Sequence, residues 1–170
     1  MAKTYLDQIV EYPSKVIQKI SEDKTIVGFL LNKKIDEVSE EDFDIVLDNY
    51  IYSYPYVDDT VQETSAYIWV EMDVADVSNE HIKNAELYVT VACHKQLMNL
   101  DAQKYQGFIG NRRDNITRYV DKLLNGSDVF GIGKLKLKNT RTLSPYNQFV
   151  FRELTYEVPE FNIVDCIDEV

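Results

Sequence analysis

The arrangement best suited to chemistry is a pair of acids, Glu71 and Asp73, in the run Tyr67-Ile68-Trp69-Val70-Glu71-Met72-Asp73-Val74. Side chains alternate along a strand, so this spacing puts both carboxylates on one face. Two carboxylates with a nearby lysine could hold a divalent metal and hydrolyse a phosphodiester, the work of a small nuclease. The same spacing is also the plain polar alternation of a half-buried strand, and a nuclease would need a basic substrate face as well. Cys93, His94 and Asp101 could be drawn as a nucleophile or metal set. However, adjacent strand residues point to opposite faces, so Cys93 and His94 do not cooperate easily and a structural role is the simpler reading. His81 lies in a polar connection and carries no further signal. The acids from Asp36 to Asp48 lack the ligand spacing and the glycine of a calcium loop. Gly131-Ile132-Gly133-Lys134 precedes a strand and its lysine is not followed by Ser or Thr, so it does not make a phosphate loop. No catalytic residue, cofactor or metal site is assigned.

Arg112, Arg113, Arg118 and Lys122 gather positive charge at the start and polar side of one helix. They fit a solvated face or the docking of an acidic protein partner. Charge is segregated along the whole chain. The net −11 conceals an acidic block at 36–86, with only Lys83 against fifteen acids, and a basic block at 95–141, with ten bases against four acids. Such a field can orient subunits head to tail, while an overall acidic chain lacks the footprint needed to grip duplex DNA.

These side chains need elements to position them. With 170 residues and 45% hydrophobic composition the chain can bury a core, and one domain over 1–170 is expected. No apolar run is long enough for a membrane span or a secretory signal, and two cysteines make neither a disulfide scaffold nor a zinc site. A soluble protein made in a cytoplasm, with reduced thiols, is the expectation. Helical spacing predicts a turn and then a helix from Pro13 to Ser21, a short helix capped by Asp23, and a third begun at Ser39 with Phe43, Val46 and Leu47 as its stripe. Tyr50, Tyr52, Tyr54 and Tyr56 alternate around Pro55, as an edge strand or extended loop does. Two strands follow, with Ile68, Val70, Met72 and Val74 inward on the first and Leu87, Val89, Val91 and Cys93 inward on the second, forming an antiparallel hairpin.

The segment 95–110 shows no period and is long for a connection, which predicts a functional or mobile loop carrying Tyr105 and Phe108. Asn111 caps the next helix, Ile116, Val120, Leu123 and Leu124 form its apolar stripe, and Gly126 stops it. That stripe is expected to bury against Val70, Met72, Val89 and Val91. A short strand over Lys134–Lys138 and another over Gln148–Val158 close the fold, with a bulge near Arg152-Glu153 to reconcile the opposite phases of Phe149, Phe151 and of Leu154, Tyr156, Val158. The residues after Pro159, with Phe161, read as an acidic arm. The class is therefore α+β: an antiparallel sheet of four to five strands packed by an amphipathic helix, with a helical N-terminal part at 1–50, sheet and helix at 51–158 and the arm at 159–170.

The order of these elements resembles the small joining proteins at the neck of tailed bacteriophages, the tail terminator and tail-completion family. The residues that carry the resemblance are Tyr67 to Val74, Leu87-Tyr88-Val89-Thr90-Val91-Ala92-Cys93-His94, Asn111-Arg112-Arg113-Asp114-Asn115-Ile116 through Val120-Asp121-Lys122-Leu123-Leu124-Asn125-Gly126, and Phe149 to Val158. It spans about 60–158. The resemblance implies a non-enzymatic virion subunit, assembled in the host cytoplasm. It would form a ring with copies of itself, commonly a hexamer, that caps the tail tube and meets the head connector while DNA passes through without sequence-specific binding. Arg112, Arg113, Arg118, Lys122, Tyr105, Phe108 and Phe161 are the expected interface residues. A head-completion subunit, another phage structural protein or the nuclease are the alternatives.

Overall fold

The side chains that begin each helix explain where the helices start. Asp23 accepts from the backbone N–H groups of Thr25 and Ile26, both at 2.9 Å, and opens α2 (Lys24–Leu30). Asp42 reaches back to the N–H and hydroxyl of Ser39 at 3.0 and 3.1 Å and opens α3 (Glu40–Asn49). Asn111 accepts from the Asp114 N–H at 2.9 Å and opens α4 (Arg112–Leu124), and Gly126 takes φ +78° just beyond that helix. The structure, a computed structural model, describes residues 5–57, 63–74, 77–78, 81–82, 85–128 and 133–158. The expected C-terminal arm with Phe161 lies outside the described residues, as do Gly131 and Ile132 of the Gly131-Ile132-Gly133-Lys134 motif.

The first helix, α1 (Tyr5–Ser21), begins well before the expected start at Pro13 and runs through that proline, with helix in place of the expected preceding turn. Proline removes one backbone donor and costs about 3 kcal/mol in a helix interior. What offsets this is a continuous stripe of Tyr12, Val16, Ile17 and Ile20, all buried in the main core. The Ser14 hydroxyl also donates to the Val10 carbonyl at 3.0 Å in that turn.

The class is α+β, as expected, but the sheet is mixed. Its order is β1-β2-β5-β7-β6, from β1 (Ile51–Tyr52), β2 (Ala66–Val74), β5 (Ala85–His94), β7 (Phe149–Val158) and β6 (Lys136–Tyr146). The tyrosine-rich stretch supplies β1, which runs parallel to β2, while the other pairs are antiparallel. A small ribbon of β3 (Val77–Ser78) and β4 (His81–Ile82) stands between β2 and β5.

The helices cover one face of the sheet. Ile68, Val70, Met72, Leu87, Val89, Val91, Cys93, Leu154, Tyr156 and Val158 join the helical residues in a single core. Within it α1 lies against β2, and α4 lies against β5 and β7. The α4 stripe therefore packs on β5 and β7, with α2 beside it, and not chiefly on β2 as expected. Ile116, Val120 and Leu124 are fully buried, whereas Leu123 is half-buried at the margin. In α3, Val46 is buried but Leu47 is exposed, and the buried polar residue of that helix is Asp42.

The opposite face holds a second, aromatic cluster of Tyr67, Trp69, Ala92, Phe149 and Phe151, flanked by Tyr50, Tyr52, Tyr56 and Leu143. This explains the opposite phases in β7 without a bulge there. Phe149 and Phe151 face the aromatic side, Leu154, Tyr156 and Val158 face the helices, and the β5–β7 register is unbroken from Ala85↔Val158 to His94↔Phe149. The irregularities fall in β6, between Leu137 and Asn139 and between Leu143 and Tyr146. β6 is also longer than the predicted Lys134–Lys138, at 11 residues, and it tolerates Pro145 next to the second irregularity because it is an edge strand.

Candidate functional site

The long loop at 95–110 is organised by one side chain. Arg112, the first residue of α4, is 1% exposed. Its Nε donates to the Leu97 carbonyl at 2.9 Å, one terminal nitrogen donates to the Phe29 carbonyl at 2.6 Å and the Tyr105 hydroxyl at 3.1 Å, and the other donates to Asn32 Oδ1 at 2.8 Å. Tyr105 is also buried. Its hydroxyl donates to the Gly28 carbonyl at 3.0 Å, and its ring stacks on Phe29 with centroids 4.7 Å apart. Phe108 packs edge-on against Phe29 and is half-buried. The Arg112 guanidinium thus fastens α2, the loop and α4 together inside one subunit. This corrects the expectation that Arg112 and Tyr105 meet a neighbour, because neither presents a surface, and the loop is pinned to its own subunit at Tyr105.

The remaining bases of α4 divide. Arg113 is largely covered, with its guanidinium on Asp114 Oδ1 at 2.8 Å and reaching the Phe151 carbonyl at 3.4 Å. Burial alone would raise the Asp114 carboxyl, but the hydrogen bonds from Arg113 and Asn111, with Arg152 nearby, hold it below the usual carboxylate range. Arg118 and Lys122 are exposed, and their cations sit over the Tyr119 ring at 5.4 and 4.6 Å. An open groove of about 270 Å³ separates α4 from β6, between Asp114, Arg118 and Asp121 on one wall and Leu137, Thr140 and Arg152 on the other.

The sequence pair Glu71 and Asp73 stands on the aromatic side of the sheet, and the register brings further acids to that side. Asp73 is opposite Glu86, and Glu71 is opposite Tyr88, while Glu153 is opposite Thr90 one row away. The Glu71 carboxyl is pushed up, chiefly by burial and then by the charges of Asp73 and Glu153. Two bases of β6 answer these acids: Lys138 bonds Glu86, and Arg141 bonds Glu153 at 2.7 Å. Glu86 is held low by Lys138 and by the Tyr88 hydroxyl, which donates to it. Among the described residues, no ion pair engages Glu71 or Asp73. No group of three or more His, Cys, Asp or Glu able to hold a metal occurs among the described residues. His94 is buried, accepts from the Gln96 N–H at 3.2 Å and packs edge-on to Phe149. Burial pushes the Cys93 thiol up to about 12, which leaves it protonated and unreactive.

Both edges of the sheet are open among the described residues. β1 pairs with Ile68 and Trp69 alone, so β2 is bare from Val70 to Val74. A groove of about 290 Å³ runs along that edge, lined by Val70, Glu71, Met72 and Asp73, by Val10, Pro13 and Ser14 of α1, and by Ser53 where β1 ends. Val10 is 67% exposed there. At the far side β6 is exposed or only half-buried along its whole length, because the helical layer stops at β7. Sequence reasoning missed these two edges: the free stretch depends on how short β1 is, and the exposed one on how far the helices reach. Lys136, Lys138 and Arg141 in a strand with no acid were the available signal.

A family model described as YomW matches residues 23–158. The name is of the kind borne by Bacillus prophage gene products and suggests a phage origin. No curated protein matches the chain.

Proposed function

This chain belongs to the YomW family, and we propose that it is a non-enzymatic structural subunit of a phage virion. In this reading it forms a ring at the neck, caps the tail tube and joins it to the head connector. The observation that carries the reading is that, among the described residues, the sheet is left unpaired along part of β2 on one side and along β6 on the other. A closed ring needs a heterologous contact, in which one patch of a subunit meets a different patch of the next, and two unlike edges supply such a pair. The acid-rich aromatic face, with Glu71, Asp73, Glu86 and Glu153, suits a wall past which duplex DNA slides by repulsion.

The test is genetic and structural together. Deleting the gene from the phage or prophage that carries it should leave filled heads and finished tails unjoined, and the purified protein should restore joining in an extract. Electron microscopy should show an annular particle of several copies at the head-proximal end of the tail. Joined virions from the deletion would refute the role. Duplex DNA cut with added Mg²⁺ or Mn²⁺, and no longer cut after Glu71→Ala with Asp73→Ala, would favour the nuclease instead.

A further inference from the structure

We propose that the subunits join by strand addition: β6 of one copy lies in the groove along Val70–Val74 of β2 in a second copy, so that neighbouring sheets run on as one. The proposal rests on the ring reading above and specifies its contact. Bare strand edges are templates for pairing, and proteins usually blunt them with short strands, covering segments or inward charges. Here β2 is half covered. β1 occupies Ile68 and Trp69 and stops at Tyr52, and among the described residues no strand pairs with the rest of that edge, along which the groove runs. An incoming strand would follow on from β1 along the same edge.

The chemistry of the two edges matches on both sides of the sheet. On the aromatic side β2 offers Glu71 and Asp73, while β6 offers Lys136 and Arg141, which stand opposite Glu157 and Glu153 on that side. On docking, each cation would lie between an acid of its own subunit and an acid of the next. That relieves the crowding of Glu71 by Asp73 and Glu153. On the helical side the groove offers Val10 and Pro13, and β6 offers Leu137 and Thr140, which line the open groove beside α4. Reversing the sheet would set Val10, Pro13 and Leu137 against the acids. A second copy is therefore the occupant that fits: β6 carries Lys136, Lys138 and Arg141 with no acid, and the bare part of β2 carries two acids with no base. Backbone pairing gives affinity, and the charges set direction and register.

The experiment uses two complementary charge reversals in the full chain. One variant carries Glu71→Lys with Asp73→Lys, the other Lys136→Glu with Arg141→Glu. Sedimentation velocity across a concentration series reads assembly, and circular dichroism checks the fold. Each variant alone should need at least about tenfold more protein than wild type to assemble, because like charges then face each other at every contact. An equimolar mixture should recover assembly to within about threefold of wild type, since each altered edge then meets its complement. Recovery by mixing is not expected of two variants that merely fold badly. Hydrogen exchange on the wild type needs no substitution: amides of 70–74 and 136–143 should gain protection on assembly, while those of α4 should not. If wild type assembles but those amides stay unprotected, or both variants assemble like wild type, strand addition is wrong and the ring reading stands. If wild type stays monomeric alone and with tails, both fall.

Discussion

Replacing Arg112 by Ala should cost as much as truncating a core residue of α4, although sequence alone places this residue on a polar helix start. The guanidinium holds four acceptors, the carbonyls of Phe29 and Leu97, the Tyr105 hydroxyl and the Asn32 side chain, in a site 1% exposed. Removing it strands buried acceptors at about 1 to 3 kcal/mol each, and leaves a void the length of an arginine. Against this, a buried charge no longer has to be kept out of water, which returns several kcal/mol. A net loss of about 3 to 5 kcal/mol is expected, typical of breaking a buried network from one side. With a urea dependence of about 2 kcal/mol per molar, the midpoint should fall by about 1.5 to 2.5 M. Arg112→Lys should recover little, because a lysine is a point donor and cannot span acceptors set at different angles. Arg118→Ala is the internal control and should change stability by less than about 0.5 kcal/mol, as exposed positions do. Urea unfolding followed by circular dichroism and by Trp69 fluorescence measures all three. A loss below about 1 kcal/mol for Arg112→Ala would refute the idea that this side chain fastens the loop.

Leu124→Ala should cost about 2 to 5 kcal/mol, while Leu123→Ala should cost clearly less, and equal losses in urea unfolding would contradict the placement of the α4 stripe. Asp42 accepts from Lys33 at 2.6 Å and from the Ser39 backbone, and in that order these contacts hold its carboxyl below the ordinary value. Its contribution is therefore present above the unfolded carboxyl pKa and is lost as pH falls through the lower folded value. Asp42→Asn should be less stable than wild type at pH 7, and the gap should close as the pH approaches 3; a constant gap in pH-dependent urea curves would count against it. In a Cys166→Ser background, the Cys93 thiol should react with a disulfide reagent only as fast as the protein opens, and rapid labelling of folded protein would contradict its burial.

The elements that could be read from the sequence were those whose signal is local. Asp23, Ser39 and Asn111 marked their helix starts, because a cap is a contact within three residues. The inward faces of β2 and β5 followed from alternation. Signals carried by distant partners were not legible. Pro13 stays helical because of what Val16 and Ile20 bury against, and Phe149 and Phe151 keep their phase because a second cluster of tyrosines waits on the other face. The same limit shaped the site. The acid pair Glu71 and Asp73 was visible, but not Glu153, which the β5–β7 register brings near from eighty residues along the chain. Arg112 looked like its neighbours Arg113 and Arg118, and only the α2 carbonyls that surround it set it apart.

The strand order also fixes a schedule for folding. β5 lies at the centre of the sheet, and its partner on one side is β7, so Ala85 must wait for Val158. During synthesis the helices and the β2–β5 hairpin emerge first, from contacts close along the chain, yet they cannot close the sheet until residues 136–158 have left the ribosome. In that interval Leu87, Val89 and Val91 sit beside an unfilled slot that a sister chain could enter. Pairing over such sequence distances is slow, and a half-made sheet is the species most open to misassembly. Slowing translation between Leu124 and Lys136 should therefore raise the aggregated fraction without altering the stability of the finished protein.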